Sequence, residues 1–196
     1  MSKTILLIDG ENFTHKIKEV LQNAGKDSHI TDAAAIDLEM LFKAALKGFS
    51  ISDKVFYGAK LQVHSETPKK SEELIKSQRK LINNLKTYGY TFIKAGNVRG
   101  QKIGGKIIFR EKGVDVRIAV DMVSSACDKR VTTIILCSSD SDLQPAIAEV
   151  KKRGIEVVYL GFENSPNKGL TFTTNRTILL RNSEILEASK KKEKVK

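Results

Sequence analysis

Ile134-Ile135-Leu136-Cys137-Ser138-Ser139-Asp140-Ser141-Asp142-Leu143-Gln144-Pro145-Ala146-Ile147 reads as a buried strand, a short polar turn and the start of a helix. The apolar, β-branched run at 132–137 has strand length, and Leu143, Ile147 and Val150 then recur at helical spacing. In an open parallel sheet, ligands bind at the carboxyl ends of the strands. Asp140 and Asp142 therefore stand at such an end. Either can cap the helix through a side-chain oxygen, and Pro145 is tolerated because first-turn N–H groups have no intrahelical partner. Capping explains one carboxylate but poorly explains two. Like charges in one turn repel unless solvent or a cation neutralises them, so the turn is a candidate metal site.

The same order of features opens the chain. Thr4-Ile5-Leu6-Leu7-Ile8 is a continuous apolar run of the kind found in strands buried on both faces. It ends in Asp9-Gly10-Glu11-Asn12, after which Phe13, Ile17, Val20 and Leu21 mark a helix with Asn12 as its expected N-cap. Asp9 then stands at a strand end, as Asp140 does. A helix with Ile36, Met40 and Leu41 follows, capped by Thr31 or Asp32. Next come a strand at 54–58, a helix opened by Thr67-Pro68 and a strand at 90–94. His64 and Glu66, in the loop between them, are weak candidates for chemistry. Val114-Asp115-Val116-Arg117-Ile118-Ala119-Val120-Asp121-Met122-Val123 reads as a largely buried helix with Asp115 in its first turn. Asp121, about 240° further round that helix, can pair with Arg117 at the i+4 spacing. After Gly154 come a strand at 155–160, a short helix at 170–175 and an edge strand at 177–180. This alternation predicts an α/β fold, a three-layer sandwich around a mainly parallel sheet.

At 196 residues with 40% hydrophobic content, the chain suits a single domain. That domain is expected over 1–183, with a basic, glycine-rich insertion near 96–113 and a basic tail at 184–196. The net charge of +11 and pI near 9.6 point to a polyanionic partner, nucleic acid before an anionic membrane. In the insertion, glycines let backbone approach a ligand closely, and Arg99, Lys102, Lys106, Arg110 and Lys112 are candidate phosphate contacts. A flexible loop is expected there, with 106–110 available as one strand of a hairpin. Cys127 and Cys137 form no CxxC pair and read as reduced core residues. No run is long enough to span a bilayer and the first strand begins almost at once, so the expected setting is the cytoplasm.

Ile8-Asp9-Gly10-Glu11-Asn12, Lys112-Gly113-Val114-Asp115-Val116 and Ser138-Ser139-Asp140-Ser141-Asp142-Leu143 resemble the three signature segments of the NYN domain, a branch of the PIN-like ribonucleases, across residues 3–161. The resemblance implies a PIN-like sheet and metal-dependent cleavage of RNA to products with a 5′-phosphate and a 3′-hydroxyl. By position it implies that Asp9, Asp115, Asp140 and Asp142 hold Mg²⁺ or Mn²⁺ and that Asn12 orients the site. Asp121 matches a further acidic position of the catalytic set. Ser139 stands where Gly is commoner in the family, a departure that can alter the turn but keeps every carboxylate. RNA is the expected partner, and a homodimer is an open one. Two alternatives remain: a Toprim-like enzyme, which would need a Glu where Asp9 stands, and a non-catalytic RNA-binding or regulatory module on the same fold. The intact acidic set argues against the latter, because carboxylates repel phosphate unless a metal intervenes.

Overall fold

The computed structural model describes residues 3–25, 36–104 and 106–189, and leaves out the side chains at 99–103, 106–108 and 110. Thr31 and Asp32, expected as caps, lie outside the described residues, as do residues 190–196 of the expected tail. The chain runs β1 (Thr4–Asp9), α1 (Gly10–Asn23), α2 (Leu38–Ala45), β2 (Ile51–Lys60), α3 (Pro68–Thr87), β3 (Tyr90–Ile103), β4 (Lys106–Lys112) and α4 (Val114–Cys127). It continues through β5 (Thr133–Cys137), a single 3₁₀ turn (Ser141–Leu143), α5 (Gln144–Lys152), β6 (Glu156–Phe162), α6 (Lys168–Thr173), β7 (Arg176–Leu180) and α7 (Asn182–Ala188).

The seven strands form one sheet in the order β4-β3-β2-β1-β5-β6-β7. Every pairing is parallel except that of β3 with β4. All six residues of β1 are buried, and they alternate between two cores as a pleated strand requires. Leu6 and Ile8 pack with Phe13, Ile17, Leu41 and Leu85 on one face. Ile5 and Leu7 pack with Ile118, Met122 and Ile147 on the other. Helices thus cover both faces, and the three-layer α/β fold is the one expected.

The order of strands creates the site. From β1 the chain moves outward through β2 and β3 to β4, then returns to place β5 on the opposite side of β1. Loops leaving the carboxyl ends of β1 and β5 diverge, opening the switch-point crevice in which parallel sheets bind ligands.

Four local expectations need correction. The first helix starts earlier than expected, with Asp9 rather than Asn12 as its N-cap. The Asp9 side chain accepts from the Asn12 N–H, and Gly10 can occupy the first helical position. The second helix is capped by Asp37, whose Oδ1 accepts from the Met40 N–H. The glycine-rich stretch is not a loop: the hairpin strand available at 106–110 forms, and it pairs antiparallel from Asn97↔Lys112 to Ile103↔Lys106 because β3 runs on well past residue 94. The domain also extends beyond residue 183, since Ile185 and Ala188 of α7 are buried in the first core. In addition, α4 is less buried than its composition suggested, with Val116 and Val120 61% and 52% exposed. Cys137 is buried, but Cys127, at the end of α4, is exposed.

Gly10 has a packing reason. A Cβ there would overlap the Phe56 ring and the Tyr57 carbonyl oxygen, so α1 can leave β1 this close to β2 only without a side chain. Gly10→Ala should therefore destabilise the protein by about 1–3 kcal/mol through overpacking. Urea unfolding would measure this, and an unchanged midpoint would remove the constraint.

Candidate metal centre

The crevice is a cleft of about 410 Å³ whose lining combines the end of β1, the first turns of α1 and α4, the end of β4 and the turn after β5. Asp9 sits at its base, 4% exposed. Its Oδ1 accepts from the Asn12 N–H at 3.2 Å; its Oδ2 accepts from Asn12 Nδ2 at 2.6 Å and from Ser138 Oγ at 3.0 Å. The Ser138 hydroxyl in turn accepts from the Asp140 N–H at 3.1 Å, and Asp140 Oδ1 accepts from the Asp142 N–H at 2.9 Å. A line of hydrogen bonds thus connects the buried carboxylate of β1 to the exposed one after β5 and sets the turn that carries Asp140 and Asp142.

Gly113 delivers the third acidic element. Its φ of 91° turns the chain from β4 into α4, so that Asp115 enters at the first helical turn. Asp115, Asp140 and Asp142 each offer a carboxylate oxygen within 4.8 Å of the others. Oxygen ligands around an octahedral Mg²⁺ lie about 3–4 Å apart, so this all-carboxylate set fits a hard divalent cation. Asp9 and Asn12 line the same cleft without belonging to that trio. Asp121 does not come to it. Both its oxygens take the Arg117 Nε at 3.0 Å, and Oδ2 also takes the Tyr57 hydroxyl at 3.0 Å.

Sequence reasoning missed four lining or supporting residues: Glu11, His15, Glu111 and Ser138. Glu11 and Ser138 lay inside the quoted motifs without a role. Nothing in the local sequence marked Glu111, whose direction depends on how β4 pairs with β3. Its Oε2 accepts from the Ala59 N–H at 3.0 Å. Of the candidate phosphate contacts, Lys112 is exposed and lines the cleft; the side chains of Arg99, Lys102, Lys106 and Arg110 are outside the described residues. His64 packs against Phe109.

Asp9, Glu11 and Glu111 hold their protons more tightly than free carboxyl groups do. Burial pushes Asp9 up despite its bonds from Asn12 and Ser138, and nearby Asp140 pushes it the same way. Burial and then Asp9 raise Glu11. Burial, followed by the charge of Glu11, pushes Glu111 up to about 7.

The family model for the NYN domain matches residues 3–181. The chain belongs to the NYN domain family. No curated protein sequence matches it. Among solved structures it is similar to a protein of unknown function from Vibrio parahaemolyticus, with a TM-score of 0.59 and 18% identity over 91% of this chain and 93% of the other. That likeness shows a shared fold alone. The NYN domain brings with it a PIN-like nuclease fold, and the three-carboxylate group lies at the ligand-binding edge of that fold. Among the described residues, no helix is long and apolar enough to cross a membrane.

These shifts fix the sign of a pH effect. A carboxyl raised on folding contributes stability that is fully present below its ordinary value and lost as pH rises through its folded value. In EDTA, thermal stability should therefore fall between about pH 4.5 and 7, the window set by Glu111. Glu111→Gln should flatten that fall and leave the variant more stable than the parent at pH 8. Parallel melting curves for the two proteins across this range would contradict the reading.

Proposed function

We propose that this NYN domain is a metal-dependent ribonuclease that hydrolyses RNA phosphodiester bonds with Mg²⁺ or Mn²⁺. One observation carries the reading: Asp115, Asp140 and Asp142 bring carboxylate oxygens within 4.8 Å of one another at the switch point of a parallel sheet. The chain's net charge of +11 supports a polyanionic substrate. A cation held by Asp115, Asp140 and Asp142, with Asp9 behind them, would lower the pKa of a bound water and neutralise charge on the phosphate.

The chain's own residues supply the rest. Asn12 and Ser138 keep the Asp9 carboxylate in one orientation. Lys112 stands at the rim, where a phosphate arriving at the acidic centre meets a positive charge. Water attacks phosphorus in line, forming a P–O bond as the bond to the 3′ oxygen breaks. The proton lost by water and the proton gained by the leaving oxygen balance the step, giving a 5′-phosphate and a 3′-hydroxyl. No nucleophilic side chain takes part.

The test is a labelled single-stranded RNA incubated with Mg²⁺, Mn²⁺ or EDTA. Cleavage should need a cation, and Asp140→Asn should abolish it while RNA binding survives. RNA binding without cleavage in any cation would leave a binding module instead.

The two acidic residues of α4 give a sharper comparison. Asp115→Asn should lower the rate by orders of magnitude and preserve or raise thermal stability as repulsion is relieved. Asp121→Asn, which weakens contacts to Arg117 and Tyr57, should have a smaller effect on the rate. Rates measured against Mg²⁺ concentration decide between them, and a larger loss for Asp121→Asn would reverse the assignment.

A further inference from the structure

The turn that carries Asp140 and Asp142 is also held from a residue outside the acidic cleft. Asn167, in the loop between β6 and α6, donates from Nδ2 to the Ser139 carbonyl oxygen at 2.9 Å. The N–H of that same peptide unit belongs to Asp140, and it donates to Ser138 Oγ at 3.1 Å. A trans peptide unit is planar, with its oxygen and its N–H on opposite sides. Two bonds, one at each side, therefore stop the plane from turning about its long axis. Asp140 Cα lies in that plane, so the direction in which its carboxylate leaves the chain is set by both bonds. Asp142 follows, because its N–H donates to Asp140 Oδ1 at 2.9 Å.

Asn167 is seated as firmly as the peptide it holds. Its Oδ1 accepts from the Leu170 N–H at 3.0 Å as the N-cap of α6, and its own N–H donates to the Tyr159 hydroxyl at 3.0 Å. Tyr159 is fully buried in the second core, and the Ser139 side chain hydrogen-bonds the same hydroxyl. Gly161, two residues on and on the same face of β6, gives the ring its room: a Cβ there would lie 2.5 Å from Tyr159 Cζ and Oη. Capping of a short helix explains the Asn167 oxygen but not its nitrogen. An Asp could cap equally well but has no proton to donate, and a Ser hydroxyl ends one atom short of the Nδ2 position. Only the amide does both.

We infer that Asn167, seated by Tyr159, is a positioning residue for the acidic centre: it holds the Ser139–Asp140 peptide so that Asp140 and Asp142 meet Asp115 at metal-binding spacing. It acts through the peptide and not through contact with cation or RNA. Without its bond, the turn gains freedom that cation binding must then remove, and affinity falls. The inference rests on the metal-dependent reading for what the centre binds.

The experiment measures Mn²⁺ binding to the full chain by calorimetry, in the parent, Asn167→Ser and Asn167→Asp, with Asp140→Asn as the control that removes a ligand. Both Asn167 variants keep a capping oxygen for α6. Asn167→Ser should weaken Mn²⁺ about tenfold. Asn167→Asp should weaken it too, although it adds a negative charge near the centre; a role through charge alone would strengthen binding. Amide exchange followed by NMR in EDTA reads the turn with no cation present. The Asp140 N–H should exchange about fivefold faster in Asn167→Ser, while the Leu136 N–H, inside β5, keeps its parent rate. If Asn167→Ser loses its cooperative melting transition, Tyr159→Phe takes its place with the same expectations. Parent-like Mn²⁺ affinity in Asn167→Ser, or tighter binding by Asn167→Asp, overturns the positioning role, and so does unchanged exchange at Asp140. A parent that binds no Mn²⁺, with exchange at Asp140 still accelerated in the variant, overturns the metal-dependent reading alone.

Discussion

A carboxylate 4% exposed, Asp9, is the constraint on which the site depends. Burying a charge without partners is costly, so its oxygens must be hydrogen-bonded. The partners are Asn12, which fixes the start of α1, and Ser138, which fixes the end of β5. Parallel neighbours such as β1 and β5 end at the same edge, so one side chain can reach both segments. From Ser138 the order passes to Asp140 and Asp142 through backbone N–H donors. The position of the exposed acidic turn is thus inherited from a buried one.

The arrangement gathers like charges that the fold alone would not choose. Asp9, Glu11 and Glu111 are all raised, with burial as the first cause in each. Beside them stand Asp115, Asp140 and Asp142, with carboxylate oxygens within 4.8 Å of one another. Two apolar layers around a fully buried β1 supply the stability that tolerates this repulsion. Sites where local rules are broken at a cost to stability tend to be functional ones, and here a bound cation or a proton would relieve the cost.

The antiparallel β4 changes what an otherwise parallel sheet can offer. By returning along β3 it brings Glu111 and Lys112 back to the crevice on opposite faces of one strand, and Gly113 then turns the chain so that Asp115 leads α4 into the site. The same helix carries Asp121 away to Tyr57 and Arg117.

The sequence by itself determined the alternation of strands and helices and the acidic residues at strand ends. Those depend on local periodicity and on residue chemistry that neighbours in the chain reveal. Asp9, Asp115, Asp140 and Asp142 were legible because each follows an apolar run or opens a helix. Only the tertiary structure decided which of them meet. The approach of Asp115 to Asp140 and Asp142 depends on the strand order that sets β5 against β1, a contact between segments remote in sequence. Glu111 was illegible for the same reason: its face is set by register with β3. Asp9 as a cap was missed because an Asn three residues on offered an equally good local signal, and the choice between them was made by Gly10, packed where only a residue without a side chain fits.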